Sequence, residues 1–261
     1  MSRLWKVSAI LTGCLGEDLT MFERFRKLEF FLSLLFVMLI LSCATVPLTQ
    51  RKGLRLLSER QLILLSLREY KEIIKKSKLC TDSQKINMVK RVGKRIAAAA
   101  EEFMKNQGLE ERVSNYNWEF NLIQNDKVIN PWAMPGGKVV VYTGILPMCQ
   151  DDTGLAVVLG HEIGHVLAEH GNERMSQALL VNMGGIALST ALKTKPQETK
   201  RLFMAAFSIG SSIGFLLPYS RVQESEADRI GLTLMGMAGY DPREAIKFWE
   251  RMRKKGGEQP L

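Results

Sequence analysis

All three histidines of the chain fall within ten residues, in the stretch VVLGHEIGHVLAEH (157–170). His161 and His165 are four positions apart, which on a helix places them on one face, one turn above the other. Two imidazoles so placed converge on a single ion at ~2.0–2.1 Å, as a tetrahedral zinc accepts. Glu162 stands beside the first of them and points to the side of such an ion, within reach of a water but out of a coordination position. Together these positions form the HExxH pattern, two metal ligands with a general base between them. The bland alternative, a core helix with hydrogen-bonded histidines, leaves their concentration in one place unexplained. HExxH constrains the fold more than any other feature. It requires a helix around 161–165, and a catalytic site needs a third protein ligand plus an open position.

That ligand has to come from another segment. A third histidine six residues after His165 would supply it, but the position holds Gly171. We read DDTGLAVVLGHEIGHVLAEHGNERMSQ as one helix capped by Asp152 or Thr153. On it His170 lies about two turns beyond His161, too far to close on the same ion, and Glu169 shares the problem. With no histidine left, a carboxylate is implied. Glu224 and Asp228, in SRVQESEADRIGLTLMGMAGYDP, are four apart on a second expected helix. Glu224 would complete the site, and Asp228 would accept the far N–H of a zinc-bound histidine, while Glu226 would face elsewhere. From spacing alone Glu224 stands level with other carboxylates, because charged pairs four apart are common on solvated helix faces.

The remaining chain sets the context. MFERFRK, starting at Met21, precedes a twelve-residue apolar run, Phe30 to Leu41, which is short of the ~20 residues that span a bilayer. The run ends in ILSC, so residues 1–42 resemble a signal peptide, with Met21 as an alternative start. Cys43 then becomes a lipidated first residue and 43–57 a polar tether. The competing reading is a retained anchoring helix from Phe30 to about Val46. The metallopeptidase domain is expected over 58–261. Ser58 with Gln61 three residues later marks a capping box, and a second helix runs from Ser83 to Gly108 with a solvated basic face. NWEFNLIQ alternates, KVVVYTG is β-branched, and turn signals lie at Asn125–Asp126 and Met134–Gly137. We expect three short antiparallel strands at 117–123, 127–133 and 138–143, in an α+β fold that is mostly helical. Two apolar pieces, LLVNMGGIALSTAL and LFMAAFSIGSSIGFLLP, read as a helical hairpin packed on the HExxH helix as a lid, or alternatively dipping into a membrane. Cys80 and Cys149 have no metal-type spacing and are as compatible with free, buried thiols as with a disulfide. The formal net charge is +9. Its basic residues are scattered and the chain is read as exported, which argues against nucleic acid as a partner.

HEIGHVLAEHGNERMSQ, ESEADRIGL and NPWAMPGGKVVVYTGIL together resemble the zinc endopeptidase family that includes the CAAX prenyl proteases and a bacterial heat-shock membrane protease. Periplasmic lipoprotein peptidases are the most similar branch, and the resemblance covers most of 58–252. It implies a zincin-like, mostly helical domain with a small antiparallel sheet beside the metal helix, and one zinc per chain. The glutamate of the E-x-x-A-D element, the family's third ligand, falls on Glu224. The strand entering Pro-Gly-Gly lines the family's substrate cleft, which points to substrate contact at Asn130 and Trp132. Pro131 replaces an alanine there and removes a backbone donor. Related enzymes stabilise the oxyanion with a histidine or arginine; here Arg221, Tyr219 and Tyr142 are the candidates by nearness to the motifs. The implied activity is that of a membrane-anchored zinc metalloendopeptidase acting on polypeptides, namely unfolded or misassembled envelope proteins. In it a zinc-bound water attacks the peptide bond and Glu162 serves as general base. The alternative is a lipid-anchored chaperone or assembly factor with a gated or inactive site. Ala44, in place of the aspartate that retains lipoproteins on the inner membrane, favours the periplasmic face of the outer membrane.

Overall fold

Ser58 accepts a hydrogen bond from the Gln61 backbone N–H while the Gln61 side chain accepts from the Ser58 N–H, closing the expected capping box at the start of α1 (Glu59–Lys76). Asp82 caps α2 (Ser83–Asn106) through the N–H groups of Gln84 and Lys85. The computed structural model describes residues 43–46, 49–183, 188–207 and 220–256, together with Glu29 and Ser33. The expected signal peptide apart from Glu29 and Ser33, and the parts of the expected hairpin at 184–187 and 208–219, lie outside the described residues. The chain divides after Cys43, and the unit that follows it is built on the fold below.

A short ribbon, β1 (Cys43–Thr45) with β2 (Lys52–Leu54), precedes α1. Beyond α2 come β3 (Glu119–Ile123), β4 (Trp132–Met134) and β5 (Lys138–Tyr142). They are followed by the short α3 (Leu146–Cys149), α4 (Asp152–Leu167) and α5 (His170–Met183). The last described elements are α6 (Leu188–Thr194), α7 (Pro196–Ala206), α8 (Arg221–Met237) and α9 (Glu244–Gly256). The fold is α+β and mostly helical, as expected. Among the described residues no helix is long and apolar enough to cross a membrane.

The sheet departs from the expectation of three antiparallel strands. Its order is β3-β5-β4, with β5 antiparallel to β4 but parallel to β3. Of the expected second strand, 127–133, only Trp132 and Ala133 form ladder pairs, joined by Met134 beyond it. The residues before it are engaged elsewhere: Lys127 N–H donates to the Asn125 side chain, Gly144 N–H to the Asn125 carbonyl, and Asn125 N–H to Thr143 Oγ1. Pro131, lacking an N–H, cannot extend the ladder. The loop therefore crosses over and leaves KVVVY in the centre, where a continuous β-branched run belongs.

The side chains of β5 alternate between two cores. Val139 and Val141 join Phe120, Leu122 and Ala133 against α2, α4 and α8. Val140 joins Trp132, Met134 and Ile123 against α1, α5 and α7. Within the first core, Leu155, Leu159 and Ile163 of α4 are fully buried, each contributing ~1.5–3 kcal/mol. The described hairpin residues Leu202, Phe203 and Phe207 pack in the second core rather than on α4. Cys80 and Cys149 are free and buried, and burial pushes the Cys149 thiol up to about 12.

Candidate metal centre

α4 carries the HExxH residues and α8 carries Glu224, and the two helices cross at unusually close range. A Cβ on Gly160 would sit 2.9 Å from the Gly231 carbonyl oxygen, and one on Gly164 2.7 Å from that of Ala227. Glycine on both helices lets the backbones meet, which brings Glu224 and Asp228 directly against His161 and His165. The cap of α4 is Asp151, accepting from Gly154 N–H, one residue earlier than expected.

His161 Nε2 lies 3.1 Å from His165 Nε2 and 3.4 Å from Glu224 Oε2, and His165 Nε2 lies 3.6 Å from Glu224 Oε1. Four ligands at ~2.0–2.1 Å around a tetrahedral ion are ~3.3–3.4 Å apart. The two ring nitrogens and the two Glu224 oxygens, one facing each ring, are spaced close to those distances, and two imidazole nitrogens turned toward each other beside a carboxylate suit a cation. Among the described residues, His161, His165 and Glu224 are the group whose ligand atoms all lie within 4.8 Å of one another. Asp228 Oδ1 accepts from His161 Nδ1–H at 2.8 Å, so a neutral His161 would direct its Nε2 lone pair at the common point. The Trp249 ring of α9 stands edge-on to His161, with centroids 5.5 Å apart.

The charges in this cluster are strongly perturbed. Burial opposes a positive His161, but hydrogen bonds to Asp228 and Glu224 and the charge of Glu162 outweigh it and raise the imidazole to about 10. Burial, then the neighbouring charges of His161, His170 and Arg174, drive His165 well below its usual range. Glu162 is pushed up to about 7, chiefly by burial; Glu224 adds to the rise and His161 opposes it.

The expected single helix through 152–177 does not exist. It breaks after Leu167: Glu169 takes φ of 56° and a new helix starts at His170. Such a conformation is uncommon outside glycine. Here Glu169 is held by Arg55 at 2.9 Å and Arg112 at 3.4 Å. The break folds His170 back onto His165, 2.9 Å between their Nδ1 atoms. Glu226 faces away from the ligand atoms, and it is buried against His170 at 3.0 Å.

The other candidates are dispersed. Trp132 is buried in the second core, edge-on to Tyr70, and donates to Tyr142 Oη at 3.2 Å, so its side chain is spent on packing. Asn130 and Tyr142 line a surface groove with Gln124 and Lys78, and none of His161, His165 and Glu224 borders it. Arg221 is exposed at the start of α8, one turn before Glu224. Tyr219 lies outside the described residues, as does the Cys43 side chain. The contacts that His170 and Trp249 make with the two candidate ligands, and Glu226 with His170, were not foreseen from the sequence; clustering of the histidines was the one visible signal.

A profile of Peptidase family M48 matches residues 85–258. The chain belongs to this family. M48 membership implies a metal, typically zinc, and the chemistry of the His, His, Glu set fits one. The mitochondrial metalloendopeptidase OMA1 of Schizosaccharomyces pombe is 39% identical over 146 residues, 56% of this chain and 41% of that protein. The human mitochondrial metalloendopeptidase OMA1 is 31% identical over 211 residues, 79% of this chain and 39% of that protein. The beta-barrel assembly-enhancing protease of Escherichia coli is 29% identical over 139 residues, 52% of this chain and 28% of that protein. The chain spans about two fifths or less of the length of these M48 relatives. The expected location, lipid-anchored to a bacterial outer membrane, is overturned: the OMA1 relatives, from yeasts, a plant and animals, are mitochondrial.

Proposed function

We propose that this chain is a zinc-dependent endopeptidase that hydrolyses peptide bonds in polypeptide substrates. His161, His165 and Glu224 hold the metal and Glu162 is the general base. The observation that carries this reading is the convergence of His161 Nε2, His165 Nε2 and the Glu224 carboxylate, 3.1–3.6 Å apart, with Glu162 next in the chain to one of them. Zinc bound there would supply Lewis acidity toward the scissile carbonyl and toward water. Asp228 fixes His161 with its Nε2 lone pair toward the metal. Glu162 takes a proton on a carboxylate oxygen as water adds to the carbonyl carbon, and returns a proton to the leaving amine nitrogen. β4 is one edge of the sheet, so an extended peptide adding to it would be bound through main-chain hydrogen bonds, with Pro131 removing one donor at its start. The mitochondrial relatives support placing this activity in a mitochondrion.

The test is cleavage of unfolded casein by the full chain, beside a Glu162→Gln variant, with and without a zinc chelator. Cleavage should fall by ~10²–10⁴ in the variant and vanish with the chelator. A folded, zinc-loaded wild type that cleaves nothing would refute the endopeptidase reading and favour a chaperone with an inactive site.

A further inference from the structure

The break after Leu167 gives the third histidine a place that the HExxH pattern does not assign. His170 is fully buried. One ring nitrogen, Nδ1, faces His165 Nδ1 at 2.9 Å, and the other, Nε2, faces Glu226 Oε2 at 3.0 Å. A carboxylate oxygen only accepts, so His170 Nε2 carries the hydrogen in that bond. Nδ1 of the same neutral ring is then an acceptor, and the hydrogen between the two histidines belongs to His165 Nδ1. That choice leaves a lone pair on His165 Nε2, the atom facing His161 and Glu224. Reversing either bond would place a hydrogen on Nε2 and spoil it as a ligand.

Glu226 is itself fixed. Arg51 Nε and Nη2 each donate to it at 2.9 Å, and Thr49 Oγ1 donates at 2.7 Å. The remaining fork of Arg51 reaches Glu173 at 2.8 and 2.9 Å, and Gln223 Nε2 donates to the same carboxylate at 3.0 Å. The Glu226 side chain is only 4% exposed, so without Arg51 it would be a buried carboxylate with no cation. Arg51 belongs to the segment before α1, far from HExxH in sequence.

We infer that His170, Glu226 and Arg51 form a positioning relay that fixes the tautomer and ring orientation of His165, making the segment before α1 part of the metal centre. None of the three touches the metal or the substrate. They do for His165 what Asp228 does for His161, through one additional ring. The inference rests on the metal-site reading proposed above.

Its test is metal affinity in the full chain, measured by titrating Co²⁺ against a competing chelator and reading the visible d–d absorption of the bound ion. His170→Phe keeps a ring and removes both hydrogen bonds. It should weaken Co²⁺ binding ~10–100-fold, the range typical for partners that orient a ligand, and alter the d–d band shape. His170→Gln, which can accept from one side and donate to the other, should recover part of the loss. Arg51→Gln should weaken binding in the same direction and preserves the test should the His170 variants fail to fold. Wild-type affinity and spectrum in folded His170→Phe or Arg51→Gln would overturn the relay while leaving the metal site standing. Failure of the wild type to bind Co²⁺, like the control His161→Ala, would remove the metal site and the relay together.

Discussion

At the scale of single residues, the centre is a set of hydrogens placed by acceptors. In the proposed site His161 can serve as a ligand because the Asp228 carboxylate can only accept from Nδ1. Asp228→Asn changes no volume but offers an N–H₂ as readily as a carbonyl, so the imidazole loses its single defined tautomer. Metal affinity should fall ~10–100-fold with little change in unfolding midpoint; an unchanged chelator-competition curve would contradict this. Glu59, in the first turn of α1, illustrates the opposite situation. Its carboxyl is pushed up to about 7, chiefly by burial, then by the charge of Glu169, with Arg112 pulling it down. Between the usual 4.5 and about 7 the folded chain therefore binds this proton while the unfolded chain has lost it, and stability falls as pH rises through that window. Glu59→Gln should remove that contribution. Urea denaturation across pH 4.5 to 7.5 should show the variant gaining on the wild type as pH rises; parallel curves would count against it.

At the scale of elements, the crossing of α4 and α8 sets the site. On Gly231 a Cβ would lie 2.9 Å from the Gly160 carbonyl carbon and the His161 backbone nitrogen. These are backbone atoms in a buried helix and cannot give way. Gly231→Ala should thus lose ~1–3 kcal/mol to overpacking, more than the ~1 kcal/mol alanine gains over glycine in a helix, and should weaken metal binding as the helices separate. Gly236→Ala on the same helix meets only Pro242 Cγ at 3.6 Å and should be neutral or stabilising. Chemical denaturation of the pair checks both signs. Much of this scale could be read in the sequence: the capped start of α1, the extent of α2 and the helices bearing HExxH and Glu224 all follow from caps and periodicity. The parallel β3–β5 pairing could not be, because turn residues at 125–126 look the same in a hairpin and in a crossover loop. Nor could the kink, since in LAEHGNE the left-handed residue is Glu169 rather than Gly171 or Asn172; Arg55 and Arg112, distant in sequence, pair with it there.

At the scale of the molecule, the sheet lies between two cores, and the candidate metal centre with its proposed relay draws on segments from 49 to 249. Spacing identified candidates along the motifs, yet partners without a local signature stayed invisible, and Arg51 is the clearest case. The stretch 43–57, which composition presents as a tether, contributes buried Val46 and Leu57 and the arginine that neutralises Glu173 and Glu226. Arg51 in turn holds both carboxyls below the usual range, its hydrogen bonds outweighing the effect of burial. A chain beginning at Ser58 would leave two largely buried carboxylates without their cation, a loss of about 3 kcal/mol or more when one partner of a buried pair is removed. It would also lose the apolar burial of Val46 and Leu57, ~1.5–3 kcal/mol for each. For a domain of ordinary stability, ~5–15 kcal/mol, the combined loss is a large fraction of the whole. A chain beginning at Ala44 keeps all of these contacts. The shorter form should therefore melt at a markedly lower temperature, and its deficit should shrink as pH falls below the ordinary carboxylate range, where protonating Glu173 and Glu226 costs the longer form its advantage. Equal melting temperatures at pH 7 would return residues 44–57 to the role of a tether.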